Sequence, residues 1–306
     1  MSRELTPETA AVVPELPDIE VYLDALRRRL LGAVLEQQSI AHVFVLRTVE
    51  PPIDCLMGCA VTALRRVGKR IVLEFDRRYF LVIHLMVAGR LQWQPAGGKP
   101  KGKSILASWC FASGTLQLTE AGSKRRASLH LVEGEAALAA LDPGGLEPLQ
   151  TDLRSFATRL QRENHTLKRA LTDPRLFSGI GNAYSDEILH RARLSPLALS
   201  QKLDAEQLAT LHRSVQAVLT EWTDRLSRQA GEGFPSKVTA FRPEMAVHGR
   251  YRQPCPDCGF PVQRIVHASN EVNYCARCQT GGRLLADRAL SRLLHANWPR
   301  HIDELG

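Results

Sequence analysis

The sequence has no apolar run of the roughly 18–20 residues that a membrane-spanning helix needs. Its first residues, MSRELTPETAAVV, lack the charged-then-apolar pattern of a secretory signal. No internal repeat or low-complexity tract is present. We therefore expect a cytoplasmic protein with no membrane partner. Apolar residues make up 44% of the chain, which is typical of a globular protein. Its length of 306 residues is enough for two domains and a small appendage.

Acidic residues are fewer than basic ones. The chain has 32 Asp and Glu against 40 Lys and Arg, which gives a net charge of +8. This balance favours polyanionic partners, although a merely basic soluble enzyme would show it as well.

Disulfides are not expected, because the seven cysteines are an odd number in a chain without an export signal. Three of them are scattered among apolar residues and are predicted to be reduced thiols: Cys55, Cys59 and Cys110.

The other four cysteines form two CxxC pairs with the spacing C-x2-C-x16-C-x2-C: Cys255, Cys258, Cys275 and Cys278. Each pair places two thiolates on one turn, and two such pairs can surround a tetrahedral Zn²⁺ ion. We predict one structural zinc ion, closed by four sulfurs and without an open position for catalysis. A redox CxxC pair is the alternative, and the presence of two pairs at this separation argues against it.

The pattern of apolar residues predicts an α+β fold. Apolar residues at helical spacing from Val21 to Leu31 predict a leading helix, which Gly32 ends. Short β-rich segments then indicate a β-sandwich or flattened barrel: 39–45, 70–75, 79–85, 108–111 and 115–119. The segment 134–148 is predicted to be a linker, and 152–230 to be helical.

The predicted helices, strands and linker divide the chain into five segments. These are a disordered extension (1–13), an N-terminal domain (14–140), a helical domain (150–250), a four-cysteine hairpin (251–279) and a tail (280–306). A further helix is expected at 284–295.

Four short strings occur in a fixed order ahead of the cysteine hairpin. They are PELPDIEV from Pro14, RRVGKRIVLE from Arg65, HLMVAGR from His84 and LFSGIGNAYSDEIL from Leu176. Taken alone, the first predicts a proline-bounded helix start whose acidic residues interact favourably with the helix dipole. Together, over about residues 14–278, the chain resembles the formamidopyrimidine-DNA glycosylase / endonuclease VIII family of base-excision repair DNA glycosylases.

The resemblance implies a monomeric, nucleoid-associated enzyme that acts on damaged double-stranded DNA. Members of this family remove an oxidised base and then nick the strand by β- or β,δ-elimination, as a DNA glycosylase and AP lyase. Their nucleophile is the secondary amine of an N-terminal proline, and Pro14 matches it. Glu15 matches the catalytic acid/base, and Asp18 stands where the family usually has Glu. Lys69 matches a lysine beside the lesion, although a solvated lysine at a strand end would look the same.

The resemblance also implies a helix–two-turn–helix motif in the helical domain and a zinc finger after it. Gly179–Asn182 matches the turn of that motif, where Asn182 is expected to bind a phosphate and a helix N-terminus offers free N–H groups. Lys168 resembles a family lysine near the lesion. The alternative for the glycine-rich turn alone is an ordinary helix cap.

The residues that would fill the gap left by a flipped base depart from the family pattern. Val87 aligns with the usual Met, and Met86 precedes it. In the second loop, EAGSKRRASL, Ala127 replaces the usual aromatic residue. Arg125 or Arg126 could face the opposite base, or the run could be a plain basic stretch.

The zinc finger and the segments beside it also depart from the family pattern. Asn270 stands where the family has a phosphate-contacting arginine at the hairpin tip, with Glu271 beside it. Three other arginines could compensate: Arg264, Arg277 and Arg283. The segment 230–247 is shorter than the loop that covers a flipped purine, which favours oxidised pyrimidines or ring-opened bases. The tail adds basic residues that could extend the DNA surface: Arg283, Arg288, Arg292 and Arg300.

Thirteen residues precede Pro14 in this sequence. An internal proline is a tertiary amide without a nucleophilic nitrogen. We expect that translation begins at Val13 from a GTG codon; proteolytic trimming and a different chemistry are the alternatives. A catalytically silent lesion-binding protein of the same fold is the competing function, followed by a zinc-ribbon module unrelated to repair.

Overall fold

The computed structural model describes residues 13–98, 104–121, 125–235, 238, 242–267, 270–285 and 300–304. Two compact units are present, one of residues 1–143 with 223–240 and the other of residues 144–222 with 241–306. The expected disordered extension lies outside the described residues except for Val13. Most of the helix expected at 284–295 lies outside them too.

Helix α1 (Leu16–Leu30) begins the first unit. Glu15 is its N-cap residue, and Pro17 lies in the first turn, where the missing N–H would have had no helical partner. Its buried apolar side chains recur at helical spacing and include Ile19, Tyr22, Leu23, Leu26 and Leu30. The predicted leading helix is therefore present.

Eight antiparallel strands follow. They are β1 (Leu35–Ile40), β2 (Val61–Val67), β3 (Arg70–Phe75), β4 (Tyr79–His84), β5 (Gly89–Pro95), β6 (Ile105–Phe111), β7 (Gly114–Glu120) and β8 (Ser128–Glu133). They form two four-stranded sheets, ordered β1-β6-β7-β5 and β2-β3-β4-β8. Side chains of both sheets share one apolar core, which includes Trp109 and Phe75, and α1 packs against β2 and β3. The predicted α+β fold with an N-terminal β-sandwich is confirmed.

Two local expectations were wrong. The strand expected at 39–45 ends at Ile40, and a 3₁₀ turn (Val43–Val45) follows it. The linker expected at 134–148 contains helix α2 (Glu135–Ala139), because its residues favour helix and Leu138 packs on Val72, Phe80 and Val82.

The second unit is helical in its first part. Its helices are α3 (Leu153–Leu160), α4 (Leu167–Thr172), α5 (Asn182–Arg191) and the first 18 residues of α6 (Ala205–Ala230). Side-chain caps start two of them, since Asp152 accepts from Ser155 N–H at 2.8 Å and Thr166 accepts from Arg169 N–H. None of the described helices combines the length and apolarity needed to cross a bilayer.

The second unit ends in an antiparallel hairpin of β9 (Gln263–His267) and β10 (Asn270–Tyr274), followed by α7 (Ala276–Thr280). The two residues between the strands lie outside the described residues. Gly259 adopts a φ of +73° directly after the first CxxC pair, as a tight knuckle requires.

Candidate functional site

The start of α1 holds two buried carboxylates beside Pro14. Glu15 and Asp18 are 1% and 2% exposed, and Pro14 is buried. The backbone N–H of Glu15 donates to Oδ2 of Asp18 at 3.0 Å, while the Glu15 side chain accepts from the Asp18 backbone. This reciprocal capping box fixes the Glu15 carboxylate against the positive end of the helix. The Pro14 nitrogen is joined to the Val13 carbonyl, so its lone pair is delocalised into the amide.

Tyr22 lies one turn after Asp18 and was not singled out from the sequence. It is fully buried, and burial raises the pKa of its phenol well above the usual range. The positive charge of Arg90 opposes that rise in pKa. Tyr22 therefore remains a neutral phenol near the capping box.

Lys69 occupies the two-residue turn between β2 and β3, after Gly68 with a φ of +61°. The Gly68 carbonyl accepts from Nη1 of Arg66 at 2.8 Å. Nε of Arg66 in turn donates to Oε1 of Glu20 on α1 at 2.9 Å. The turn that carries Lys69 is thus tied to the helix that follows Pro14, within one unit.

His84 adds to the electrostatics of this turn. Burial, followed by the charges of Arg70 and Lys69, lowers the pKa of His84 to about 4. Burial followed by Arg70 also lowers the pKa of His130. Both histidines are therefore neutral at pH 7, and the positive potential here comes from Lys69 and Arg70.

Val87 lies in the turn between β4 and β5 and is half-buried. Its carbonyl accepts from Nη1 of Arg90 at 3.0 Å, and Met86 before it has a φ of +52°. A Cβ at Gly89 would lie 2.2 Å from the Leu85 carbonyl oxygen, so the turn requires glycine there. The backbone of this turn is fixed, and its role towards DNA stays a prediction.

A buried glutamate anchors the second loop. The Glu120 carboxylate is 1% exposed and accepts from the backbone N–H groups of Arg126 at 2.9 Å and Ala127 at 3.0 Å. Arg125 and Arg126 are exposed, whereas Ala127 is buried and points away from solvent. Glu120 had no role assigned from the sequence, although an acidic residue that ends a strand before a basic loop is a usable signal.

A cavity of about 250 Å³ borders this loop. Its lining combines cationic and apolar side chains: His42, Phe44, Val45, Arg47, Leu106, Arg125 and Ala127. The imidazole of His42 contacts the guanidinium of Arg125. Phe44 is 82% exposed, and the sequence had assigned it no role.

In the second unit, the structure brings Lys168 and Asn182 together. Asn182 is the first residue of α5, after Gly179 with a φ of +79°. Nζ of Lys168 donates to the Asn182 carbonyl at 2.6 Å and to Oδ1 of Asp186 at 2.5 Å. Nδ2 of Asn182 donates to the Glu271 carbonyl on β10 at 2.8 Å. Among the described residues, one N–H of the amide and one of the ammonium have no partner.

Two consecutive carboxylates one turn further along α5, Asp186 and Glu187, fix the segment that leads into the finger. Oδ2 of Asp186 accepts from Nδ1 of His248 at 2.8 Å and from the Asn273 N–H at 3.2 Å. The Glu187 carboxylate accepts three backbone N–H groups at 2.7–2.9 Å, from residues 246, 247 and 248. Neither carboxylate was assigned a role from the sequence.

The four predicted cysteines lie together. Their Sγ atoms are all within 4.8 Å of one another, with 3.9 Å between Cys255 and Cys278 and 3.4 Å between Cys258 and Cys275. A tetrahedron with Zn–S bonds of about 2.3 Å has S–S edges of ~3.8 Å, so the cluster fits one zinc ion. Four sulfurs close the site, which makes its role structural.

Side chains of α5 and α7 contact the metal cluster from outside: His190 on α5 and Gln279 on α7. Nε2 of His190 lies 3.3 Å from Sγ of Cys255, and burial is the main cause that lowers the His190 pKa. Oε1 of Gln279 accepts from the Cys275 N–H at 2.8 Å, while Nε2 of Gln279 donates to the Leu194 carbonyl at 2.9 Å. Such contacts orient metal-binding thiolates.

The three arginines that the sequence offered as replacements for the hairpin arginine lie in different places, and their contact with DNA stays a prediction. Arg264 on β9 pairs in register with Asn273 and lies over the ring of Tyr251. Arg277 on α7 lies over the ring of Phe260. Arg283 follows α7 and forms an isolated bridge with His301. Asn270 begins β10, opposite His267.

Three family sequence models match the chain in order. They are the formamidopyrimidine-DNA glycosylase N-terminal domain at residues 13–129, the formamidopyrimidine-DNA glycosylase H2TH domain at 145–227 and the zinc finger found in FPG and IleRS at 252–281. The zinc-finger match together with the cysteine cluster confirms the predicted single structural zinc ion.

Known proteins agree with these matches. The formamidopyrimidine-DNA glycosylase of Roseiflexus sp. (strain RS-1) is 30% identical over 87% of this chain and all of its own. A formamidopyrimidine-DNA glycosylase-like protein of Mycobacterium tuberculosis is 42% identical over 51% of this chain and 94% of its own. The fold matches that of Lactococcus lactis Fpg in a crystal complex with abasic-site DNA (TM-score 0.77, 24% identity, 87% and 99% of the two chains). This chain belongs to the formamidopyrimidine-DNA glycosylase family.

Proposed function

We propose that this protein is a DNA glycosylase with AP-lyase activity, which removes oxidised bases from duplex DNA and then nicks the strand. The proposal requires a form of the chain that begins at Pro14. The observation that carries it is the pairing of Pro14 with the buried, capped carboxylate of Glu15 at the start of α1. Family membership supports it, since the curated relative from Roseiflexus bears the name of this glycosylase.

In the proposed reaction, the unprotonated Pro14 nitrogen attacks C1′ of the damaged nucleotide. An α-amino group has a pKa of about 7.7–8, so a useful fraction is unprotonated at neutral pH. The N-glycosidic bond breaks, the base leaves with the bonding electrons, and it takes up the proton that the Pro14 nitrogen loses. Glu15 gives a proton to the sugar ring oxygen as the ring opens, which leaves an iminium ion between Pro14 and C1′.

The iminium ion then accepts electrons during strand cleavage. Removal of a C2′ proton pushes electrons towards the iminium nitrogen and expels the 3′ phosphate by β-elimination. Asp18 accepts from the backbone N–H of Glu15 at 3.0 Å and so positions the acid/base.

Phosphate binding is assigned to basic and amide groups of both units. Lys69, Arg125 and Arg126 belong to the first unit, and Asn182 and Lys168 to the second. Lys69 stands in a glycine-containing turn tied to α1, and the Asn182 amide retains one N–H donor. Each cation that neutralises a phosphate makes DNA binding more sensitive to salt.

The test compares the full chain with a chain that starts at Pro14. Both are incubated with duplexes that contain an oxidised pyrimidine, a ring-opened purine, 8-oxoguanine or an abasic site, and released base and nicked strand are measured separately. We expect the Pro14-start chain to release base and nick the strand, and the full chain to do neither. Glu15→Gln in the Pro14-start chain should lower both activities by a factor of at least ~100.

The competing function is a lesion-binding protein without catalysis. In a chain that retains residues 1–13, the Pro14 nitrogen is blocked as an amide, which favours this function. Tight binding of both forms to damaged duplex, with neither base release nor nicking, would establish that function and overturn the proposed one.

A further inference from the structure

A turn before the first CxxC pair contains an arginine in an unusual backbone conformation. The Gln253 N–H donates to the Arg250 carbonyl at 2.9 Å, which closes a four-residue turn. Arg252 is its third residue and has a φ of +65°. Glycine or asparagine is the usual residue at a turn position with positive φ. Arginine at this position is therefore strained.

The finger backbone holds this conformation in place. The Arg252 N–H donates to the Val262 carbonyl at 2.9 Å, and the Val262 N–H donates to the Gln253 carbonyl at 2.8 Å. The turn is thus hydrogen-bonded to the strand side of the cysteine knuckle that follows it. The backbone from which its exposed side chains extend is therefore held in place.

Two guanidinium groups converge on one aromatic ring beside this turn. The central guanidinium carbon of Arg264 lies 4.2 Å from the ring centroid of Tyr251, and that of Arg252 lies 5.2 Å from it. Stacking on a ring restricts the rotamers of both arginines and orients their N–H donors. Tyr251 therefore acts as a platform for two positive charges.

These charges are only partly neutralised. Arg264 meets one carboxylate, Glu271, at 3.4 Å. The side chain of Arg252 is exposed and makes no hydrogen bond or ion pair with any of the residues that the structure describes. Two like charges held on one ring, at the expense of a strained backbone, are favourable when an anion bridges them.

We propose that Tyr251, Arg252 and Arg264 form a phosphate-binding surface of the zinc finger, and that its ligand is the backbone of duplex DNA. Guanidinium groups present paired N–H donors that match phosphate oxygens. The surface gives the finger a phosphate contact that does not depend on Asn270 at the hairpin. The inference rests on the proposed function for the choice of DNA as ligand.

The test is the salt dependence of DNA binding by the full chain and its Arg252→Gly variant, on an undamaged duplex and on one with an abasic site. Loss of one phosphate contact should make the slope of log K against log salt shallower by about 0.9. Between 50 and 200 mM salt, the variant should therefore lose ~3.5-fold less affinity than the parent. Its melting temperature should stay the same or rise, because glycine accepts a positive φ without strain.

Arg77→Gly is the matched control. Arg77 is also an exposed arginine with a positive φ, +57°, in the turn between β3 and β4. That turn lies at the opposite end of β3 from Lys69. This control loses the same charge and the same strain, and we expect its salt slope to equal that of the parent.

An Arg252→Gly variant with the parental slope, or with the same change as Arg77→Gly, would overturn the proposal. The result is distinguishable from failure of the proposed enzyme, because it is read from binding alone. A shallower slope without base release by the Pro14-start chain would keep the surface and remove the enzymatic function.

Discussion

Nζ of Lys168 lies 2.5 Å from Oδ1 of Asp186, and both side chains are buried. Resemblance to the family predicts that Lys168 lies near the lesion. In the structure the ammonium of Lys168 links α4 to α5, and it also donates a hydrogen bond to the Asn182 carbonyl. A DNA contact by Lys168 stays a prediction, and it would have to use the one N–H that these two bonds leave over.

Asp186→Asn should destabilise the protein by about 3 kcal/mol, because removal of one partner leaves a buried charge uncompensated. It would also weaken the acceptor for His248 and Asn273. The free energy of unfolding from denaturant titration measures the effect. Glu133→Gln, which breaks an exposed pair with Arg78, is the control and should change stability far less. Equal effects of the two substitutions would show that the buried pair is not a structural element.

His84 should make the stability of the protein depend on pH. Its pKa is lowered to about 4 in the folded state, against about 6.5 in the unfolded chain. Between these values the unfolded state binds more protons, so stability is full above pH 6.5 and is lost as the pH falls towards 4. The shift in the His84 pKa contributes at most roughly 3 kcal/mol to the free energy of unfolding.

The measurement is the free energy of unfolding from pH 7.5 to 4.5 for the parent and His84→Gln. The variant should lose less stability on acidification, while His130, whose pKa is also lowered, retains part of the dependence. Parallel pH curves for the two proteins would contradict the assignment.

Removal of zinc should weaken DNA binding through Asn182. The side-chain amide of Asn182 is held by the carbonyl of Glu271 on β10, so loss of the finger structure releases it. We expect elemental analysis to give one zinc per chain, and chelation to lower DNA affinity reversibly. Cys258→Ser should lose the metal, whereas Cys110→Ser, outside the cluster, should keep it. A chelated protein with full DNA affinity would show that Asn182 does not depend on the finger.

The features that could be predicted from the sequence are those encoded by nearby residues. The cysteine spacing defines the zinc site because each CxxC pair lies on one turn. The start of α1 could be predicted because Pro17 and Asp18 act within one turn of Glu15. Helix α2 was not predicted because the nearby turn residues Pro143, Gly144 and Gly145 favour a linker for the whole segment 134–148.

The anchoring carboxylates could not be predicted in the same way. Glu187 accepts from backbone N–H groups about 60 residues further along the chain, and those groups carry no sequence signal. The link from Asn182 to the Glu271 carbonyl has the same character, because any residue at 271 would supply that acceptor. The clustering of Arg252 and Arg264 on Tyr251 also depends on how the hairpin returns to the turn.

The most direct test of the account is borohydride trapping on duplex DNA with an abasic site, followed by mass spectrometry of the adduct. Borohydride reduces an iminium ion between protein and sugar to a stable amine. We expect a covalent adduct on the nitrogen of Pro14 for the chain that starts there, and no adduct for the full chain. An adduct of equal yield with the full chain, or one on another residue of the Pro14-start chain, would contradict it.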